Sequence, residues 1–202
     1  MKIFGHPLST CTRKVLMTLA ETGTSHELTV IDFAKGEHKA EPYLARQPFG
    51  QLPALDDDGF VLYESRAISR YINDKAKGPL VPTDLRARAL TEQWISVETS
   101  NFTPHAMKFV YHYIFQRKQD EAVLSAATEA LQKCLTVMER QLATTPHLAG
   151  EAFTLADICY MPYIDYVMST PGKEIFAAFP HVMAWWNRVS ERPTWRKVTM
   201  RA

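Results

Sequence analysis

Cysteine is scarce in this chain. Its 202 residues hold three, Cys11, Cys134 and Cys159, odd in number, far apart and without a CxxC pair. That argues against a disulfide scaffold and against a zinc site, and it fits a reducing compartment. A charge excess of either sign is also missing: 23 Lys+Arg against 22 Asp+Glu leaves +1. Nucleic acid and acidic membrane surfaces are therefore poor default partners. No run of 18 apolar residues exists to span a bilayer as a helix. The opening MKIFGHPLSTC reaches Pro7 and polar residues too soon for a secretory signal, so a cytoplasmic location is expected. His105, His147 and His181 show no ligand spacing, and no metal is expected. Repeats and low-complexity stretches are absent. What remains is an ordinary globular balance, 46% hydrophobic and 22% charged, in a length suited to one or two domains.

The first eighty residues mix strand and helix signals. Lys2–Phe4 is a short apolar opening cut by Gly5 and Pro7. Thr10–Glu21 carries Val15, Leu16 and Leu19 on one helical face, and Gly23 sits where a glycine ends a helix. Glu27–Asp32 alternates as a strand does. Lys35–Gln47 is polar and broken by Pro42, a loop with one weak helical turn. Leu52–Leu55 and Phe60–Tyr63 flank Asp56-Asp57-Asp58-Gly59, a hairpin signal. Ser65–Lys77 follows as a helix, with Ile68 and Ile72 on one face and Ser65 placed as its N-cap. The expected order is β-α-β-(α)-β-β-α over residues 1–78. A linker over 79–84 with two prolines follows directly after Gly78, and then an all-helical domain over 85–202. In that second domain a kink is expected near Pro104. Leu124, Ala127, Leu131, Leu135, Met138 and Leu142 mark an inward helix face. Thr154 and Asp157 form a capping box. Trp185 and Trp186 read as core, and Arg192-Pro193 as a helix stop.

Four segments of the first domain carry possible chemistry. Gly5–Arg13 lies between a strand and a helix, where unpaired N–H groups and the helix dipole favour an anion. Ser9 or Thr10 there either caps the helix or offers a hydroxyl to that anion. Gln51-Leu52-Pro53 sets a proline directly before an apolar strand, as an ordinary strand start or as a cis turn. Glu64-Ser65 opens another helix, as a plain cap or as a cradle for the ammonium and carboxylate of an amino acid. Gly36-Glu37-His38-Lys39 is a polar loop, solvated by default.

Taken jointly, GHPLS-x-x-TR, GEHK, R-x-PFGQLPAL and YESRAI resemble the glutathione-binding domain of glutathione S-transferases, closest to the serine-type, phi-like group. FTLADI at 153–158 stands where that family has its buried helical motif, so the likeness runs along the whole chain. The resemblance implies a thioredoxin-like first domain followed by the family's helical domain, with Leu52–Pro53 in cis and the backbone of Leu52 paired to the cysteinyl backbone of glutathione. It implies that Glu64 and Ser65 hold the γ-glutamyl end. His38, Lys39 and Gln51 face the glycyl carboxylate, and Ser9 donates to the sulfur. Thr10 and Cys11 are the alternatives within the same turn. A tyrosine role is closed, because the first strand ends in Ile3-Phe4-Gly5. Apolar lining for an electrophile is expected from Leu8, Phe109 and Tyr113, in a pocket between the domains. The implied activity is attack of the glutathione thiolate on small hydrophobic electrophiles, with peroxide reduction as a further use of the same thiolate. A glutathione- or protein-binding regulator without turnover, and a glutathione-dependent disulfide reductase, are the rival readings. Family members are two-fold dimers, and Phe49 in its polar loop is a candidate apolar key into a second copy.

Overall fold

Four short strands form one mixed sheet in the order β2-β1-β3-β4, with β1 at Lys2–Gly5, β2 at Glu27–Val30, β3 at Ala54–Asp57 and β4 at Phe60–Tyr63. They belong to a computed structural model that describes residues 1–200. β1 runs parallel to β2 across helix α1 (Thr10–Glu21), the crossover that a parallel pair requires. β3 runs antiparallel to both β1 and β4, and the Asp58-Gly59 turn that joins β3 to β4 has positive φ at both residues. Between β2 and β3 the chain makes a single 3₁₀ turn and the four-residue helix α2 (Glu41–Leu44), the weak turn expected there. Helix α3 (Ser65–Lys75) closes the unit, with Ile68 and Ile72 fully buried. Its N-cap is Glu64, in a positive-φ conformation, and not Ser65. Ser65 is instead the first helical residue, because Glu64 turns sharply out of β4 and only the next residue takes helical angles.

The helical unit opens with α4 (Leu85–Val97), capped by the Asp84 carboxylate, which accepts from the N–H groups of Arg86 and Ala87. A π turn over Glu98–Phe102 leads into α5 (Thr103–Phe109), and a second π turn covers Val110–Ile114. The disruption expected at Pro104 is this first π turn. The proline sits in the opening turn of α5, where its missing N–H is tolerated, and the wider turn just before it takes up the register change. Helix α6 (Glu121–Leu142) buries Ala127, Leu131, Leu135, Met138 and Leu142 of the predicted stripe, while Leu124 in its first turn is only half-buried. Helix α7 (Leu155–Met168) is buried along nearly its whole length. Its capping box is formed: Thr154 Oγ1 accepts from Ala156 N–H at 3.2 Å, and Asp157 Oδ2 accepts from Thr154 N–H at 2.9 Å. Asp157 Oδ1 also accepts from Leu148 N–H and from the Trp185 indole N–H at 2.9 Å. α8 (Lys173–Phe176) and α9 (Pro180–Ser190) complete the unit, with Trp185 and Trp186 in its core.

The two compact units are Met1–Val81 together with the segment from Pro193 onward, and Pro82–Arg192. The last helix, α10 (Pro193–Thr199), thus groups with the first unit and not with the helices that precede it. It packs on α1, with Trp195 fully buried and the Thr194 hydroxyl donating to Glu21. Pro193 stops α9 and also starts this helix, and only the stop was legible in the sequence.

Candidate active site

Strand register gathers the four segments. Phe4 pairs with Ala54, and Ala54 with Tyr63, so the end of β1, the start of β3 and the end of β4 lie side by side. Gly5 pairs with Val30, which brings the end of β2 to the same edge. Neighbouring strands are about 4.8 Å apart. The loop of residues 6–9, the Leu52-Pro53 turn, the Glu64-Ser65 helix start and the chain after Ile31 therefore crowd one end of the sheet.

The first loop is built tightly. A Cβ at Gly5 would stand 2.7 Å from the Thr12 side chain, so only glycine lets β1 turn into α1 here. The Arg13 guanidinium, buried in α1, reaches back to the Pro7 carbonyl at 2.8 Å. Ser9 is the N-cap: its Oγ accepts from Thr12 N–H at 3.3 Å, and its own N–H donates to the His6 carbonyl. Ser9 is half-buried, Thr10 is buried and Cys11 is half-buried. Leu8, at 49% exposure, points outward beside Ser9.

The other segments follow. The Leu52–Pro53 bond is cis, the form the resemblance implies. Leu52 is buried with Ile31, Tyr43 and Ala54 in a small apolar cluster that Phe4 extends. Glu64 is exposed in its positive-φ cap, and Ser65 is 3% exposed next to it. Phe33 bridges the Gly36–Lys39 loop to the first segment, with its ring 5.8 Å from His6 and 4.8 Å, edge-on, from His38. The Nδ1 of His38 is buried without a hydrogen-bond partner. Lys39 Nζ donates to the Phe49 carbonyl at 2.9 Å, and Gln51 is exposed beyond it. In the helical unit Phe109 is buried and stacks on the half-buried Tyr113 at 6.4 Å. Among the described residues no group of three or more His, Cys, Asp or Glu side chains is placed to hold a metal ion. No helix there is long and apolar enough to cross a membrane.

Tyr43 and Gln47 were not singled out from the sequence. Tyr43 gave a weak signal, a large aromatic residue inside a polar stretch; Gln47 gave none. Both bond to the backbone of Gln51: the Tyr43 hydroxyl donates to its carbonyl at 2.6 Å, and Gln47 Oε1 accepts its N–H at 3.0 Å. Cys134, buried like Cys159, has its pKa pushed up to about 12, chiefly by burial and further by the Glu98 carboxyl, which makes it a poor nucleophile.

Comparison with known proteins agrees with this geometry. The family described as glutathione S-transferase, N-terminal domain, matches residues 1–74, and the one described as glutathione S-transferase, C-terminal domain, matches residues 102–193. A probable glutathione S-transferase, GSTF2 of Oryza sativa subsp. japonica, is 37% identical over 204 residues, covering 98% of this chain and 95% of its own. The crystal structure of glutathione transferase F7 from Populus trichocarpa superposes with a TM-score of 0.94 at 38% identity, over 98% of this chain and 97% of that one. Glutathione S-transferase I from maize, in complex with an atrazine glutathione conjugate, gives 0.91 at 34% identity, over 98% and 96%. With the thioredoxin-like sheet, the helical unit and full-length likeness all in place, this chain belongs to the phi class of the glutathione S-transferase family and is a glutathione transferase.

Proposed function

We propose that reduced glutathione lies across the shared sheet end, with Ser9 as the residue that activates its thiol. In this reading the Leu52 backbone pairs with the cysteinyl backbone, and Glu64 and Ser65 take the γ-glutamyl ammonium and carboxylate. His38, Lys39 and Gln51 face the glycyl carboxylate. The observation that carries it is the bonding of Ser9. Its Oγ already accepts from Thr12 N–H, so its own proton is directed to another acceptor. A thiolate at the α1 N-terminus is that acceptor, held by the hydroxyl and by the helix dipole. Thr10 is buried, and Cys11 lies within the helix rather than at its cap, which favours Ser9 over both.

A free thiol has a pKa of ~8.5 and is mostly protonated at neutral pH. Each unit of lowering needs about 1.4 kcal/mol of preference for the thiolate, which one charge-assisted hydrogen bond supplies. The thiol proton goes to water. The sulfur then forms a bond to an electrophilic carbon, and a leaving group such as chloride departs with its electron pair. Small apolar electrophiles are the proposed acceptors, and an atrazine-like chloroarene is a suitable probe. Leu8, exposed beside Ser9, is the proposed apolar contact for them. Reduced glutathione requires a reducing compartment, and the cytoplasm is proposed on that ground.

Ultraviolet titration of the thiolate in the complex tests this reading. A pKa for bound glutathione at least one unit below that of the free tripeptide is expected. Unaltered acidity, or no binding by calorimetry, overturns it. A homodimer is proposed as the assembled form, supported by Phe49 (62% exposed), whose ring lies 6.1 Å from that of Tyr63 on the outer strand β4, and by the exposed Phe60 and Val61 on the same strand.

A further inference from the structure

Between α2 and β3 the chain passes through Pro48, Phe49 and Gln51, all exposed and with little packing of their own. Side-chain burial does not hold this stretch in place. Hydrogen bonds do: Lys39 Nζ donates to the Phe49 carbonyl, and two buried side chains bond to the backbone of Gln51. The Tyr43 hydroxyl donates to the Gln51 carbonyl at 2.6 Å, and Gln47 Oε1 accepts the Gln51 N–H at 3.0 Å. The side chains that make them are the most enclosed of the region, at 3% and 1% exposure. They sit on a rigid base: the N–H groups of Arg46 and Gln47 both donate to the Tyr43 carbonyl at 2.9 Å, and Gly50 N–H donates to the Gln47 carbonyl at 2.9 Å. Gly50 makes the return possible. Its φ is +59°, and a Cβ there would stand 2.7 Å from the His38 carbonyl. Burial pushes the Tyr43 pKa well above its ordinary value, so the hydroxyl keeps its proton and remains a donor.

Neither Tyr43 nor Gln47 is among the groups assigned to glutathione. We infer that the two are positioning residues: they clamp the peptide of Gln51 from both sides and thereby set the backbone of Leu52 for the cysteinyl part of glutathione. This rests on the proposed pairing of Leu52 with that backbone. A main-chain contact cannot be tuned by its own side chain, so its placement must come from neighbours that grip the preceding peptide. The contact is made equally in the ground state and the transition state. Loss of the clamp therefore weakens glutathione binding without slowing the chemical step.

The test uses Tyr43→Phe and Gln47→Met, which remove one bond each and keep nearly the same volume. In either variant KM for glutathione should rise about three- to tenfold, with kcat at saturating glutathione within about twofold and KM for the electrophile unchanged. A purely structural role would lower Tm and leave KM for glutathione where it was, and that result overturns the inference. A fall in kcat at unchanged KM overturns it equally. A glutathione analogue with an ester oxygen in place of the cysteinyl N–H separates the two layers of the argument. It should bind wild type about tenfold more weakly than glutathione, and that penalty should shrink in Tyr43→Phe. If wild type binds analogue and glutathione alike, the Leu52 pairing fails and this inference with it. If the penalty is present in wild type and undiminished in the variant, only the clamp fails. A measurement without mutation covers misfolded variants. Hydrogen exchange at the Gln51 amide should be slow before glutathione is added and nearly unchanged after. Fast exchange in the free protein overturns a preformed clamp.

Discussion

At Ser9 the proposal asks a single oxygen to serve two bonds of opposite sense. It accepts from Thr12 N–H as the cap of α1, and its own proton is free to be offered outward. In the sequence these were competing readings; the structure shows the cap bond, and the proposal gives the same atom the second role. Ser9→Ala should therefore show two separable losses. The helix loses about 1 kcal/mol of capping, visible as a lower Tm. Turnover should fall about 10- to 100-fold while glutathione affinity stays within about threefold, since the hydroxyl acts on the thiolate more than on the peptide parts. Cys11→Ala should leave kcat within about twofold, which steady-state kinetics with a chlorinated nitroarene would check. The reach of sequence reading differs between residues here. Ser9 was legible because its position in a motif carries meaning. Gln47 was not, because a glutamine in a polar loop looks the same whether its amide meets water or a peptide N–H four residues on.

Among the elements, α7 shows how a short motif becomes a structural hub. The Thr154–Asp157 box was visible from spacing alone. Spacing could not reveal that the same carboxylate also accepts from Leu148 N–H and Trp185 Nε1–H, 28 residues away in the latter case. Burial pushes the Asp157 pKa up, and the N–H donors that converge on it oppose that shift. Asp157→Ala would leave three buried N–H groups without their acceptor. At about 1–3 kcal/mol each, less what relaxation recovers, the expected cost is about 3–5 kcal/mol. Urea unfolding should record that loss, and a change under 1 kcal/mol would contradict the hub. The helix stripes and the hairpin were readable because amphipathic periodicity is a local property. The π turns at Glu98–Phe102 and Val110–Ile114 were not, since one extra residue in a turn leaves little trace in composition.

Across the whole molecule, the first unit is completed by the end of the chain. Trp195 is fully buried in a helix that packs on α1, more than 170 residues from it in sequence. The exposed aromatic pair of Phe49 and Tyr63, 6.1 Å between rings, is the other large-scale feature, and it supports the proposed dimer. Phe49→Ser should shift sedimentation from dimer toward monomer at micromolar concentration, with far-ultraviolet circular dichroism unchanged. A wild-type protein that sediments as a monomer would remove the ground for the proposal.

The amino-acid sequence by itself determined the order of elements, the split into an α/β part and a helical part, and the short motifs that mark the family. Each of these depends on residues close together in the chain, through propensity, capping and periodicity. Tertiary structure alone decided which segments share the sheet end, that Tyr43 and Gln47 grip Gln51, and that α10 returns to α1. Those outcomes depend on strand register and on contacts between distant parts of the chain. The free energy of such contacts exists only once both partners are in place, so no local stretch of sequence encodes them.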